Sequence, residues 1–149
     1  MLDQTHPKRT ELTELGEFGL IRHLTGDIEC KNSSTLKGIG DDAAVIDNGD
    51  RLTLVSTDLL TEGIHFDLSY TPLKHLGYKA AVVNFSDIAA MNGTPRQLFV
   101  GISVSNRFPV EALDELYDGI KLACKRYHVD LAGGDTTSSA SGLFLALTV

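Results

Sequence analysis

The chain has 149 residues, 42% hydrophobic and 22% charged, which is the composition of one ordinary soluble domain with a genuine core and excludes a disordered chain. Its formal net charge of -7 excludes a general electrostatic grip on nucleic acid or on an anionic membrane. Apolar stretches such as Leu98–Val104 fall far short of the roughly 20 residues that span a bilayer. Cys30 and Cys124 lie far apart without a Cys-x-x-Cys spacing, and the start MLDQTHPKRT lacks a signal peptide, so the expected location is the reducing cytoplasm.

Residues 1–10 read as a polar tail, and one domain is expected over 1–149. From Leu12 to Leu24 apolar residues recur near helical spacing, which predicts a helix over 11–24. The runs AAVI and LTLVS between Ala43 and Ser56 flank Asp47-Asn48-Gly49-Asp50, whose Asn-Gly pair predicts a β-hairpin. The stretch 73–92 has helical periodicity and is stopped by Gly93 and Pro95. LFVGISVS, 98–105, reads as a buried strand, and Pro109 opens a helix that runs to about Tyr127.

In that last helix Leu113, Leu116, Ile120, Ala123 and Tyr127 form an apolar stripe expected to pack on a sheet. Two strands follow, near 129–132 and 142–149, separated by the small, polar segment GGDTTSSAS. The chain stops at LFLALTV with an apolar run still in progress, which reads as a cut. The order of elements is mixed α and β.

Four places set an Asp beside Gly, Ser or Thr at the end of a predicted element: GIGDD (38–42), STD (56–58), Ser86-Asp87 and GGDTT (133–137). Any one alone is also an ordinary turn or helix cap. Repetition is the signal. Mg²⁺ takes oxygen ligands and shares its shell with phosphates and water, while neighbouring glycines let backbone N–H groups approach a phosphate. On an acidic chain the combination points to phosphate held through metal.

Asp87 is predicted on the helix face of Leu76, Ala80, Val83 and Met91, where a carboxylate is costly unless it is paired, hydrogen-bonded or bound to a cation. Neither a P-loop nor a dinucleotide fingerprint occurs. Ser56, His65 and Asp87 could be assembled into a hydrolase triad, but no G-x-S-x-G elbow exposes a nucleophile. His65, in TEGIHF, is a candidate contact for a substrate phosphate or hydroxyl, and the isolated histidines argue against zinc.

Taken together, GEFGLI, GIGDDAAVI, STDLLTEGIHF, KAAVVNFSDIAAMNG and LAGGDTT, in this order, closely resemble the thiamine-monophosphate kinases of the aminoimidazole-ribonucleotide synthetase-like superfamily. The resemblance covers residues 14–137. It implies an α+β amino-terminal domain with a mixed sheet flanked by helices, whose sheet joins that of a second copy in a barrel at a homodimer interface.

It also implies ATP-dependent phosphorylation of thiamine monophosphate to thiamine diphosphate by direct in-line transfer, with several Mg²⁺ ions. Asp42, Ser56, Thr57, Asp58, Asp87 and Asp135 would be magnesium ligands, Tyr117, Gly134 and Asp135 would contact ATP, and His65 would touch thiamine monophosphate. The family's carboxy-terminal domain, with further ligands, would be absent, leaving the isolated domain weak or inactive. Asn92-Gly93 departs from the commoner Met-Gly-Ala at the turn after the helix. The alternatives are another ATP-using member of the superfamily, of the aminoimidazole ribonucleotide, selenophosphate or hydrogenase-maturation type, or a non-catalytic dimerisation module.

Overall fold

The computed structural model describes residues 11–149; the expected polar tail, 1–10, lies outside the described residues. The chain divides into two compact units, one ending at Ser33 and one spanning Ser34–Val149. The first holds helix α1, Leu12–Thr25, as the spacing predicts. Gly16 interrupts it with a φ of 62°, a left-handed value that suits a residue without a Cβ. No residue of α1 is buried, and Leu12, Phe18 and Leu24 stand well exposed.

The second unit begins with a three-stranded antiparallel sheet in the order β1 (Thr35–Lys37), β2 (Ala44–Asp47), β3 (Leu52–Val55). The predicted hairpin is β2–β3, with Asp47 opposite Leu52. Its turn works as the Asn-Gly pair requires: Gly49 has a φ of 89° and its N–H donates to Asp47 Oδ1 at 2.8 Å. After Ser56 the chain enters a second sheet.

That sheet contains β4 (Thr57–Thr61), β5 (Gln97–Val104), β6 (Asp130–Ser138) and β7 (Leu143–Thr148), in the order β4-β7-β5-β6. β7 runs antiparallel to both neighbours and β5 pairs with β6 in parallel. Helix α2 (Leu73–Ala90) connects β4 to β5, and α3 (Val110–Tyr127) forms the crossover from β5 to β6. Parallel pairing demands such a long connection.

Strand alternation sorts the sheet into two faces. Leu60, Leu98, Val100, Ile102, Leu143, Leu145 and Leu147 point to one face and pack with Leu76, Ala80 and Phe85 of α2 and Leu116, Ile120 and Ala123 of α3. Burying each Leu or Ile there is worth about 1.5–3 kcal/mol. On the other face Leu59 and Phe99 remain exposed.

α3 packs its stripe into the core with the sheet, as expected, and it also lies close along α2, with Gly77 of α2 against Leu116 and Gly119 of α3 against Lys74; a Cβ on either glycine would overlap a backbone carbonyl of the other helix. The low amphipathicity of α2 has the same cause, because it is covered on two sides. Several expectations are corrected. The polar segment 133–138 is strand, the second half of β6, paired to Phe99–Val104 although every residue of β6 is exposed. Asp58 stands inside β4, not at an element end, and β1 was not foreseen.

Candidate functional site

The chain leaves the hairpin at Val55 and joins the four-stranded sheet at Thr57, and Ser56 is the joint between them. Its N–H donates to Val149 O and its carbonyl accepts from Val149 N–H, both at 3.0 Å, so the joint is locked to the end of β7. Ser56 is buried, and its Oγ donates to Asp87 Oδ2 at 3.0 Å across 31 residues of sequence. Asp87 lies in the last turn of α2, partly buried. The observed buried face of that helix is Leu76, Gly77, Ala80, Ala81, Asn84, Phe85 and Ile88, so Asp87 stands at its margin and not in the middle of the face, as expected from the sequence.

Asp58 follows two residues after Ser56, on the same strand face as buried Leu60. Its carboxyl is pushed above the ordinary range first by burial and then by the negative charge of Asp87, with His65 opposing. Two carboxylates close enough to repel one another, a hydroxyl and an imidazole therefore share one corner. Like charges held together without a counter-ion are unfavourable, and a cation relieves them.

His65 is fixed by a short local circuit. Its N–H donates to Thr61 O at 2.9 Å, and its Nδ1 accepts the Thr61 N–H at 3.0 Å. With Nδ1 an acceptor, the neutral ring carries its proton on Nε2, which makes that edge a donor for an anionic oxygen. The Lys79 ammonium donates to His65 O at 3.2 Å and ties this loop to α2. The next residue after Thr61, Glu62, pairs with Arg107 and accepts from Leu143 N–H at 2.8 Å, holding the end of β4 against the start of β7. Sequence reading overlooked Lys79 and Glu62; their only signal was a charged residue inside an otherwise apolar motif.

The remaining candidates lie elsewhere. Asp42 is exposed, two residues before Ala44, whose partner is Val55, so it enters the small sheet at the end from which Ser56 and Asp58 emerge. Thr57 Oγ1 lies 3.0 Å from both Leu147 O and Thr148 Oγ1. Tyr117 packs partly buried against the core, and burial raises its hydroxyl above the ordinary value. Gly134 and Asp135 belong to β6, the opposite edge strand from β4. Gly134 faces Val100 so closely that a Cβ would overlap the Val100 carbonyl.

The ladder partners of Asp135 are Gly101, then Ala146, then Leu59, and it lines a cavity of about 270 Å³ with Leu59, Gly101, Thr137, Phe144 and Ala146. Asp135 is thus on the open face, whereas Asp58 is on the helix-covered face. A larger cavity of about 990 Å³ lies between the hairpin and the carboxy-terminal end of α2, lined by Leu54, Ile88, Met91, Arg96 and Val149 among others. It borders the Ser56 joint through Val149 but contains none of the candidate ligands.

Hard oxygen donors are what Mg²⁺ requires, and Ser56, Asp58 and Asp87 supply only these. Asn84, one turn before Asp87, is fully buried with its Oδ1 unpartnered while its Nδ2 donates to Ala80 O at 2.9 Å. The group suits a cation that takes the rest of its shell from phosphate and water. Among the described residues no three His, Cys, Asp or Glu side chains converge as a ready-made metal site.

Residues 40–149 match the family described as AIR synthase related protein, N-terminal domain. The chain belongs to this family. Among its relatives, the thiamine-monophosphate kinase of Bacillus subtilis (strain 168) is 39% identical over 136 residues, covering 91% of this chain and 42% of the relative. That of Aquifex aeolicus (strain VF5) is 37% identical over 128 residues, covering 86% and 40%.

The solved structure of AaThiL complexed with AMPPCP and TMP superposes with a TM-score of 0.84 at 32% identity, covering 95% of this chain and 43% of that one. The AIR synthase-related chain therefore spans about two fifths of the length of the curated relatives it matches. Among the described residues, no helix is long and apolar enough to cross a membrane.

Proposed function

We propose that this chain is the nucleotide- and magnesium-binding half of a thiamine-monophosphate kinase, acting in the cytoplasm to transfer the γ-phosphoryl group of ATP to thiamine monophosphate. Thiamine diphosphate and ADP are the products. The observation that carries the reading is the joining of Ser56 and Asp58 with Asp87, from two separate stretches of sequence, into one corner of oxygen donors. Relatives named thiamine-monophosphate kinase, and a superposable structure holding AMPPCP and TMP, support the choice of substrates.

Phosphoryl transfer asks a protein for positioning and charge neutralisation more than for covalent chemistry. Magnesium, when bound, neutralises the phosphate oxygens. Asp58 and Asp87 hold the cation, and Ser56 fixes the Asp87 carboxylate through its hydroxyl. Asp42 and Thr57 complete the ligand group, Gly134 and Asp135 border the ATP phosphates, and Tyr117 contacts the nucleotide. His65 presents Nε2–H to the phosphate of thiamine monophosphate. An ionised phosphate oxygen is already a nucleophile, so no residue is needed as a general base.

A homodimer is part of the proposal. Two four-stranded sheets make eight strands, the number at which a closed barrel is just filled by its own side chains, and Leu59, Phe99 and Phe144 on the open face would supply the filling.

The test is ADP release by the purified protein with ATP, Mg²⁺ and candidate acceptors. Release that requires thiamine monophosphate and yields thiamine diphosphate is the expected result. Release with another acceptor alone would assign the chain to a different member of the family, and failure to bind Mg²⁺·ATP would reduce it to a dimerisation module.

A further inference from the structure

Among the described residues, two buried side-chain atoms lack a hydrogen-bond partner, Asn84 Oδ1 and Ser105 Oγ. Ser105 keeps 8% of its surface exposed and has a hydroxyl that rotates, whereas Asn84 is 0% exposed. The Asn84 amide is also fixed. Its Nδ2 donates to Ala80 O at 2.9 Å, and turning the group over would set two oxygens against each other. A buried acceptor without a donor is unfavourable, and an apolar side chain of the same shape would be tolerated better in its place.

The position of this atom suggests what it is for. α2 runs back along β4: towards one end Ser56 Oγ donates to Asp87, and towards the other Lys79 reaches His65 O in the loop tied to Thr61. Asn84 lies three residues before Asp87, roughly 4.5 Å back along the helix axis. Asp58 lies two residues beyond Ser56, roughly 6.6 Å along the strand. Asn84, on the buried face of α2, therefore comes level with Asp58 on the helix-covered side of the sheet. Two donors in the neighbourhood are already engaged, the Ser56 hydroxyl by Asp87 and the Lys79 ammonium by His65 O.

We infer that Asn84 is a positioning residue for the cation corner, its Oδ1 accepting a hydrogen bond from water in the shell of the Mg²⁺ held by Asp58 and Asp87. This rests on the kinase reading, and it adds a residue that does not touch the ion. Mg²⁺ gives up its waters reluctantly, and bound waters need acceptors for their protons. Asn84 offers one from the interior side, already oriented by Ala80. Being neutral, it adds nothing to the repulsion between the two carboxylates, as an Asp there would. Outer-shell partners of this kind commonly change metal affinity by about 10–100-fold.

The test is made on the whole chain with Mg²⁺ alone as the probe. Asn84→Leu keeps the side-chain shape and removes the polar atoms; Asn84→Ala removes them without any risk of overpacking; Asn84→Asp returns an oxygen at that place. Circular dichroism checks each fold, thermal unfolding without Mg²⁺ reports stability, and calorimetric titration with Mg²⁺ reports affinity.

Asn84→Leu should melt no lower than the wild type without Mg²⁺, yet bind Mg²⁺ at least about tenfold more weakly. Asn84→Ala should show the same loss of affinity and a lower melting temperature, because it leaves a cavity. Asn84→Asp should bind within about threefold of the wild type or more tightly. Unchanged Mg²⁺ affinity in the Leu or Ala variant would make Asn84 a purely structural group and overturn the inference while leaving the kinase reading in place. So would an Asp variant as weak as the Ala variant. If the wild type itself takes up no Mg²⁺, the corner is not a cation site and both fall.

Discussion

The two faces of the four-stranded sheet are made by the same strands and differ in almost everything else. On the helix-covered side Leu143, Leu145 and Leu147 of β7 are fully buried, whereas on the open side Leu59 and Phe99 lie bare. The first face is finished within the protomer. The second requires something else to complete it, and the site proposed for nucleotide straddles the boundary between them. Stability and function therefore draw on different residues of one sheet.

The largest effect expected from this division is on stability. Leu145→Ala, on the covered face, should cost about 2–5 kcal/mol in denaturant unfolding, because it opens a cavity between the sheet and α2. Leu59→Ala, on the neighbouring strand but the opposite face, should change protomer stability by no more than about 0.5 kcal/mol while weakening self-association. Equal losses of stability would erase the distinction between the faces.

His65 offers a smaller contrast within the site itself. Because it is anchored through Nδ1 and offers only Nε2–H, its contribution should be binding and not proton transfer. His65→Ala should raise the KM for thiamine monophosphate by about tenfold with kcat nearly unchanged, as expected for loss of an interaction made equally in the ground and transition states. A fall in kcat at constant KM would instead make His65 part of the chemical step.

The smallest effect concerns the charge on Asp58. Burial and Asp87 raise its pKa in the folded state, so the native protein binds a proton there more tightly than the unfolded chain does. The associated stability is present below the unfolded value of about 3.9 and is lost as pH rises through the higher folded value. Asp58→Asn should therefore stabilise the protein near neutral pH by about a few tenths of a kcal/mol, since the group remains largely solvated, and should make no difference in acid. Thermal unfolding at pH 7 and pH 3.5 checks both arms; destabilisation at pH 7 would mean that Asp58 makes a favourable contact in the apo protein.

How much of this was legible in the sequence follows from which residues are buried. α1, α2, α3, the β2–β3 hairpin, β5 and β7 announce themselves through period, caps and the Asn-Gly turn. β6 is legible only at its start, near 129–132; the rest is not, because DLAGGDTTS has no buried face and is held as a strand by its backbone bonds to β5. β1 is three residues long, and β4 has Asp58 interrupting what would be a plain apolar run.

The stripe on α3 revealed the face that packs into the core with the sheet, but not that α2 lies so close beside it. That closeness comes from Gly77 and Gly119, whose missing side chains let the two helices touch. In the same way Asp beside Ser, Thr or Gly marked the right chemistry, yet spacing along the chain could not show that Ser56 reaches Asp87 across 31 residues while Asp135 sits at the far edge.

The central claim is that the carboxylates of Asp58 and Asp87 hold a cation that in turn holds nucleotide phosphate. Calorimetric titration of AMPPCP into wild type and Asp87→Asn, with and without Mg²⁺, tests it most directly. Wild type should bind only in the presence of Mg²⁺, and Asp87→Asn, with its circular dichroism unchanged, should bind at least about tenfold more weakly, a loss of about 1.4 kcal/mol. Equal affinity in the two proteins, or wild-type binding that ignores Mg²⁺, would contradict the claim.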